Sequence, residues 1–392
     1  MTDLNNTKKC IVPWIHINVE PTGDLFLCCR ADQTAGNVGN LNDQSLEDIW
    51  KGEKYTAIRN QMISGVEPEA CKICFNTERL GGLSKRMREN DLWKDHWHLT
   101  NTSTVDFFIP YIDIRFNNIC NLKCRSCRPL HSHSIGSETI KLGKSIPHSI
   151  VLDYQSTEFD NDLTSLAPYI EEIYFCGGEP LLMDKHYQLI DKLIEVKNYK
   201  VRLRYSTNLT KLVYKNYNVL DKWKLFDNVS IHASLDGIEN KLEYIRHGTD
   251  WENIIKNLDL LKKNNIDIKI SPTVSVFNIL DIDEICSYYI DNKYITENDL
   301  GLTVLETPYY YSVQTLHPEL KMSAKNKIEN FIKQYSLNVE TTKRFNHLIN
   351  YMYEKDTWLE NKQAFKDITT ELDLFRNENF LKTFPELSKH YD

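Results

Sequence analysis

The stretch CNLKCRSC, Cys120–Cys127, places three cysteines within eight residues at Cys-x3-Cys-x2-Cys spacing. Three thiolates so close can hold a metal, yet structural zinc takes four ligands and iron–sulfur cubanes are normally held by four thiolates. The octet is one ligand short. A zinc site would need a fourth Cys or His, with His131 and His133 close by; a cubane would keep one iron open for another molecule. Spacing alone leaves both readings open. The octet follows the strand-like run YIDIRF, and similar runs recur as EIYFC, VRLRYS, VSIHAS, DIKISPTVSV and LGLTVLE, with helix-like stretches between them. Strands alternating with helices predict βαβ units and a parallel sheet over about residues 105–310, either doubly wound or a partial six-stranded barrel. In a barrel the octet lies at the C-terminal mouth, where ligands bind.

The second run, EIYFC, leads into GGEP, Gly177, Gly178, Glu179 and Pro180. Two glycines let the backbone approach a ligand closely, and Glu179 offers a carboxylate to an ammonium group. Further on, Trp251, Ile254, Ile255, Leu258 and Leu261 share one face at helical period. From about residue 320 to 392 strand signals cease, which predicts a helical extension.

Residues 1 to about 100 hold five of the ten cysteines. PWIHINVE reads as a strand, PTGD as a turn and LFLCC as the returning strand. SLEDIW opens a helix with Ser45 as N-cap, running to about Ser64. Cys10, Cys28 and the Cys71–Cys74 pair are enough for one closed tetrathiolate, and bare spacing favours zinc. Cys176, beside GGEP, and Cys286, in a helix-like segment, read as packing.

The composition is that of a globular protein, 41% hydrophobic and 26% charged, and a net charge of −8 argues against a broad nucleic-acid surface. With no leader pattern at the start and no apolar run long enough for a bilayer, the expected location is the cytoplasm. LSKRMREN (83–90), with Arg125 and Arg128, reads as a solvated basic face, Tyr309–Tyr311 as packing, and His232 as a residue in or beside the barrel. Walker, GxGxxG and HExxH patterns are absent.

CNLKCRSC followed about fifty residues later by GGEP resembles the radical S-adenosylmethionine (SAM) enzymes. The likeness continues through YSTNLT, SIHASLDG, EYIRHGTDW and TVSVFN at or near later strand ends. It implies Cys120, Cys124 and Cys127 as ligands of a [4Fe–4S] cluster whose open iron is chelated by SAM. It also implies Gly177, Gly178, Glu179 and Pro180 at the methionine amino group, with Ser206, Asn208, Ser234, Asp236 and Arg246 toward ribose and carboxylate. One departure stands in the octet, where Ser126 replaces the aromatic residue common before the third cysteine. The N-terminal stretch, from CIVPWIHINVEPTGDLFLCC through GN and SLEDIW to CKIC, resembles the auxiliary-cluster modules called SPASM or twitch. That implies one auxiliary [4Fe–4S] cluster on Cys10, Cys28, Cys71 and Cys74, with Cys29 as an alternative ligand. Such modules usually follow the core and here the module precedes it. No further cysteine group follows Cys74 within it, so one cluster is its maximum.

The resemblance implies a partial (β/α)6 core at 105–310, an auxiliary domain at 1–100 and reductive cleavage of SAM to a 5′-deoxyadenosyl radical that abstracts hydrogen. It further implies an electron donor such as flavodoxin or ferredoxin, and a peptide, protein or small-molecule substrate, with peptides ranked first. The competing class is a zinc-stabilised binding module. It leaves GGEP and the ordered strand-end polar residues without a role.

Overall fold

The computed structural model describes residues 7–391. PWIHINVE forms strand β1 (His16–Val19). The PTGD turn reverses the chain with Gly23 at φ +85°, a conformation glycine adopts without steric cost, and the Gly23 N–H donates to Glu20 O at 2.9 Å. The chain returns as β2 (Asp24–Phe26) and then β3 (Asn37–Asn40), each antiparallel to the strand before it. SLEDIW opens a helix capped by Ser45, whose Oγ accepts the Asp48 N–H at 3.1 Å. The single helix expected to Ser64 is two, Leu46–Lys51 and Glu53–Ile63. Gly52 is extended, at ψ 169°, and the helix restarts after it.

A second partner of β1 ties the N-terminal hairpin to the α/β region. β1 pairs in parallel with β4 (Tyr111–Ile114), His16 opposite Tyr111 and Val19 opposite Ile114. β4 pairs in parallel with β5 (Glu172–Phe175), and β5 with β6 (Arg202–Thr207). The described residues up to Cys120, with 129–207 and 211–230, form one compact unit. Its strands run in the order β3–β2–β1–β4–β5–β6, followed by the start of β7 (Asn228–Ala233). One face of the parallel strands is apolar: Ile17, Val19, Ile112, Ile114, Ile173, Phe175, Leu203 and Tyr205 are all fully buried. Each aliphatic side chain so buried contributes about 1.5–3 kcal/mol relative to exposure.

The second unit comprises 121–128, 208–210 and the described residues from Ile231 on. Beside the end of β7 lies β8 (Asp267–Ile270), with Ser271 N–H donating to Ala233 O at 2.9 Å. DIKISPTVSV breaks at Pro272, which has no N–H for a ladder. Thr273–Val274 beyond it pairs in parallel with Thr303–Val304, and those two residues are all the strand LGLTVLE yields. The helix Trp251–Lys263 buries Ile254, Leu258 and Leu261 as expected, but Asn257 joins them while Trp251 and Ile255 are only half-buried. Helices Pro318–Gln334, Val339–Glu354 and Trp358–Arg376 make the C-terminal region helical, as expected. Among the described residues no helix is long and apolar enough to cross a membrane.

Candidate iron–sulfur and cofactor site

In the first unit Cys10, Cys28, Cys71 and Cys74 line a single cavity together with Leu27, Arg30, Lys85 and Arg86. Burial first, and the neighbouring Cys74 second, push the Cys10 thiol up to about 12. Cys28 and Cys71 are raised in the same way, by burial and then by nearby cysteines. Four crowded thiols, Cys10 and Cys74 buried and Cys28 and Cys71 half-buried, become thiolates only with positive charge among them, so this donor set fits a metal cluster. Cys29 is not among the lining residues.

LSKRMREN is not a solvated face. It forms the helix Lys85–Leu92, capped by Ser84, and Lys85, Arg86, Glu89 and Asn90 are buried. Each buried charge has a partner, which is what permits the burial. Lys85 Nζ lies 3.0 Å from Tyr111 Oη and 3.7 Å from Glu89. Arg86 grips Glu78 through Nε at 2.9 Å and Nη2 at 2.8 Å, while its Nη1 donates to Thr7 O and Lys9 O. Lys85 and Arg86, with Arg30, thus border the four thiols. The sequence trace of this is only Glu89, directly after the basic run.

GGEP leaves β5 in the same unit. Gly177 has φ +99°, and a Cβ built on Gly178 would stand 2.1 Å from Ile119 O, so the loop is pressed against the chain entering Cys120. The Glu179 N–H donates to Ile119 O at 2.7 Å. Glu179 is 1% exposed; its Oε1 accepts from Thr207 Oγ1 at 2.7 Å and from Leu181 N–H at 3.2 Å, capping the turn Pro180–Leu182. Cys120 is buried, its N–H donating to His133 Nδ1 at 3.1 Å and its carbonyl accepting from Ser134 Oγ at 2.6 Å. His133 begins a helix and positions the Cys120 backbone. Gly178→Ala is expected to displace the Cys120 approach and cost about 1–3 kcal/mol by overpacking. Equilibrium denaturation and SAM titration of the purified variant check it.

The second unit holds the rest of the octet. The Cys127 N–H donates to Cys124 O at 3.0 Å, and burial first, then neighbouring Cys124, pushes the Cys127 thiol up to about 12. Arg246 Nη1 is 3.6 Å from Cys124 Sγ, and Arg246–His247 pairs antiparallel with Lys123–Cys124. Arg246 is itself bound by Asp236, Nε to Oδ2 at 2.8 Å, while Asp236 Oδ1 accepts the Thr273 N–H at 2.7 Å. Asp236 is therefore fully buried and engaged by protein on both oxygens. Asn208 Nδ2 donates to Asn121 Oδ1 at 3.0 Å, and Asn121 Nδ2 donates to Thr210 Oγ1 at 2.8 Å. Asn257 Nδ2 and Asn253 Nδ2 each donate at 2.8 Å to Leu209 O and Thr210 O, holding Leu209 at φ +58°. This explains Asn257 on the inner face of its helix. Ser234 is half-buried just past β7.

The face of the parallel strands opposite the apolar one is polar, an arrangement the sequence reading missed. Registration aligns His16, Tyr111, Glu172 and Arg202 in one row, and Asn18, Asp113, Tyr174 and Arg204 in the next. Arg115, Cys176 and Ser206 follow at the strand ends. Arg204 bonds Glu172 at 3.0 Å and Tyr111 Oη; Arg115 bonds Asn18 Oδ1 at 2.7 Å; Cys176 Sγ lies 3.0 Å from Asp113 Oδ1; Tyr174 Oη bonds Ser206 Oγ. The alternation of polar and apolar residues along each run was its only sequence signal.

Two family models match the chain: an iron–sulfur cluster-binding domain, SPASM, over residues 10–75, and the radical SAM superfamily over residues 114–288. No curated relative matches. Among solved structures, anSMEcpe with bound AdoMet and the Cp18Cys peptide is 18% identical with a TM-score of 0.41, covering 58% of this chain and 60% of that one. Streptococcus suis SuiB bound to precursor peptide SuiA is 14% identical with a TM-score of 0.42, covering 83% of this chain and 70% of that one. The chain thus spans about 60% of the length of anSMEcpe. SAM and a [4Fe–4S] cluster go with the radical SAM domain, and auxiliary iron–sulfur binding with the SPASM domain. Residues 114–288 thus match the radical SAM superfamily, and the SPASM match over residues 10–75 stands ahead of them.

Proposed function

We propose that the chain is a radical SAM enzyme that modifies a peptide or protein, with Cys120, Cys124 and Cys127 holding the SAM-binding [4Fe–4S] cluster. Cys10, Cys28, Cys71 and Cys74 hold one auxiliary cluster. The cavity lined by those four thiols carries this reading. Of the three cysteines outside both sets, Cys286 is fully buried in a helix core, Cys176 is engaged with Asp113, and Cys29 adjoins Cys28 in the N-terminal module. What cluster and cofactor supply when bound is one-electron reductive cleavage of SAM to a hydrogen-abstracting 5′-deoxyadenosyl radical.

The chain's own residues orient and enclose. Gly177 and Gly178 let the backbone come close to the methionine end of SAM, where Glu179 accepts its ammonium group. Ser206, Asn208, Ser234, Asp236 and Arg246 are assigned to the polar end of SAM. Two of them act by positioning: Asn208 holds Asn121 between the first two cysteines, and Asp236 holds Arg246 against Cys124. The polar rows from His16 to Arg204 offer paired cations and carboxylates to an amide-rich substrate, and an external ferredoxin or flavodoxin delivers the electron.

The test is anaerobic purification followed by iron, sulfide and zinc analysis and a SAM-cleavage assay with a strong reductant. About eight irons per chain, as two [4Fe–4S] clusters require, and 5′-deoxyadenosine are expected. Stoichiometric zinc with no SAM cleavage would sink the proposal in favour of a zinc-stabilised module.

A further inference from the structure

The C-terminal region carries no recognisable motif, yet within the second unit two of its carboxylates reach the cysteine octet. Arg125 stands between Cys124 and Cys127, and its side chain is 0% exposed. Its Nη2 lies 2.5 Å from Asp373 Oδ1 and 2.6 Å from Glu378 Oε2. The guanidinium also sits 3.8 Å from the centre of the Tyr244 ring, and the Tyr244 Oη donates to Asp373 Oδ1 at 2.8 Å. The other oxygen of Glu378 is 2.7 Å from His247 Nδ1, and His247 pairs with Lys123 in the two-residue ladder beside Cys124. One carboxylate therefore touches both strands of that ladder's surroundings: the octet through Arg125 and its partner strand through His247.

The segment is shaped for this. The helix Trp358–Arg376 ends at Asn377 in the left-handed conformation, φ 55°. Around that turn the Glu378 N–H donates to Asp373 O at 2.9 Å, and Asp373 Oδ2 accepts the Phe380 N–H at 2.6 Å. The turn thus holds the Asp373 carboxylate and the Glu378 backbone in place. A buried guanidinium held on two carboxylates is expensive unless every partner is placed, so the placement is selective for one loop conformation.

We propose that Asp373 and Glu378 are positioning residues of the SAM-binding cluster, locking through Arg125 and His247 the loop that presents Cys124 and Cys127. The proposal rests on the reading of those two cysteines as ligands. Asp373 and Glu378 touch no cofactor themselves. Their loss loosens ligand geometry, an effect that outer-shell substitutions typically express as a roughly 10- to 100-fold drop in metal affinity.

The experiment compares full-length wild type, D373N/E378Q, E378Q, E378D and Cys124→Ala after anaerobic reconstitution. Iron content, the reduced-state electron paramagnetic resonance spectrum with and without SAM, and amide hydrogen exchange over residues 120–128 are read. For D373N/E378Q we expect the SAM-shifted signal to fall roughly tenfold, about four irons to remain on the auxiliary site, and exchange to rise over 120–128 but not over 16–19. E378D should recover part of the signal that E378Q loses. Wild-type iron, spectrum and exchange in the double variant would overturn the proposal. So would equal loss of both clusters, which marks a general folding role. If the double variant is insoluble, exchange in E378Q decides, since a quiet octet there overturns the proposal equally. Cys124→Ala separates this proposal from the reading beneath it: a persisting SAM-shifted signal in that variant defeats the ligand assignment, whereas its loss there alone defeats only the positioning role.

Discussion

Cys124→Ala is expected to form no 5′-deoxyadenosine above background, whereas Cys71→Ala keeps SAM cleavage while yielding no modified product. Each should lose about four of about eight irons, one cubane's worth. The asymmetry follows from the two donor sets. Cys71 belongs to a closed group of four lining its own cavity, with Lys85 and Arg86 at its border. Cys124 belongs to the octet, and Arg246 Nη1 at 3.6 Å already supplies its thiolate with a neighbouring cation. Removing a ligand from the closed set leaves three thiols that cannot keep the cluster closed, and the octet is untouched. Removing Cys124 leaves two cysteines of the octet and an arginine with no thiolate to face. Iron analysis of both variants, with product and deoxyadenosine measured separately, checks the pair. Identical iron and cleavage profiles in the two would show that the sets do not act independently.

Lys85→Met is expected to be the most destabilising single change outside the cysteines, costing about 3 kcal/mol, the low end of what breaking a buried ion pair costs. Lys85 is buried, its ammonium 3.0 Å from Tyr111 Oη and 3.7 Å from Glu89, and it borders the four-thiol cavity. Glu89 is 0% exposed. Burial pushes its carboxyl up, but Lys85, Arg88 and Arg204 outweigh that and hold it below the ordinary carboxylate range. With Lys85 gone, Arg88 at 3.0 Å still answers part of the charge, which keeps the cost at the low end. The sign with pH follows. A carboxyl with a depressed folded pKa stabilises above its unfolded value, about 4.3, and that stability is lost as pH falls below it. Wild type should thus lose more stability than Lys85→Met between about pH 5 and 3. Denaturant midpoints at pH 7 and pH 4 measure both effects, and auxiliary iron should fall at pH 7 because the cavity has lost a cation.

Several features were legible in the residues themselves. The alternation of strand-like and helix-like runs, the Ser45 cap, the turn at Gly23 and the helical C-terminal region all depend on local conformational preference, which acts over a few residues. The two cysteine groups were legible because thiols at such short spacing are the usual pattern of metal ligands. The wrongly read segments share a different cause. LSKRMREN looks solvated until Glu78, Glu89 and Tyr111 are brought to it, and burial of charge is decided by partners, not by the charged residues. Asn257 looks like a polar interruption of an apolar face until Leu209 O is placed opposite it.

The sequence by itself determined the chemistry available: a chain of βαβ units carrying three thiols plus GGEP, and four thiols ahead of it. Tertiary structure alone decided how those parts are held. It set the hairpin strand His16–Val19 in parallel beside Tyr111–Ile114, so that polar side chains from four strands line up in rows across one face. It also brought Asp373 and Glu378 to Arg125, about 250 residues away along the chain. Parallel pairing and buried ion pairs join residues far apart in sequence, and their cost is met only when all partners are in place. No local pattern announces them, because each residue in isolation reads as an ordinary polar position.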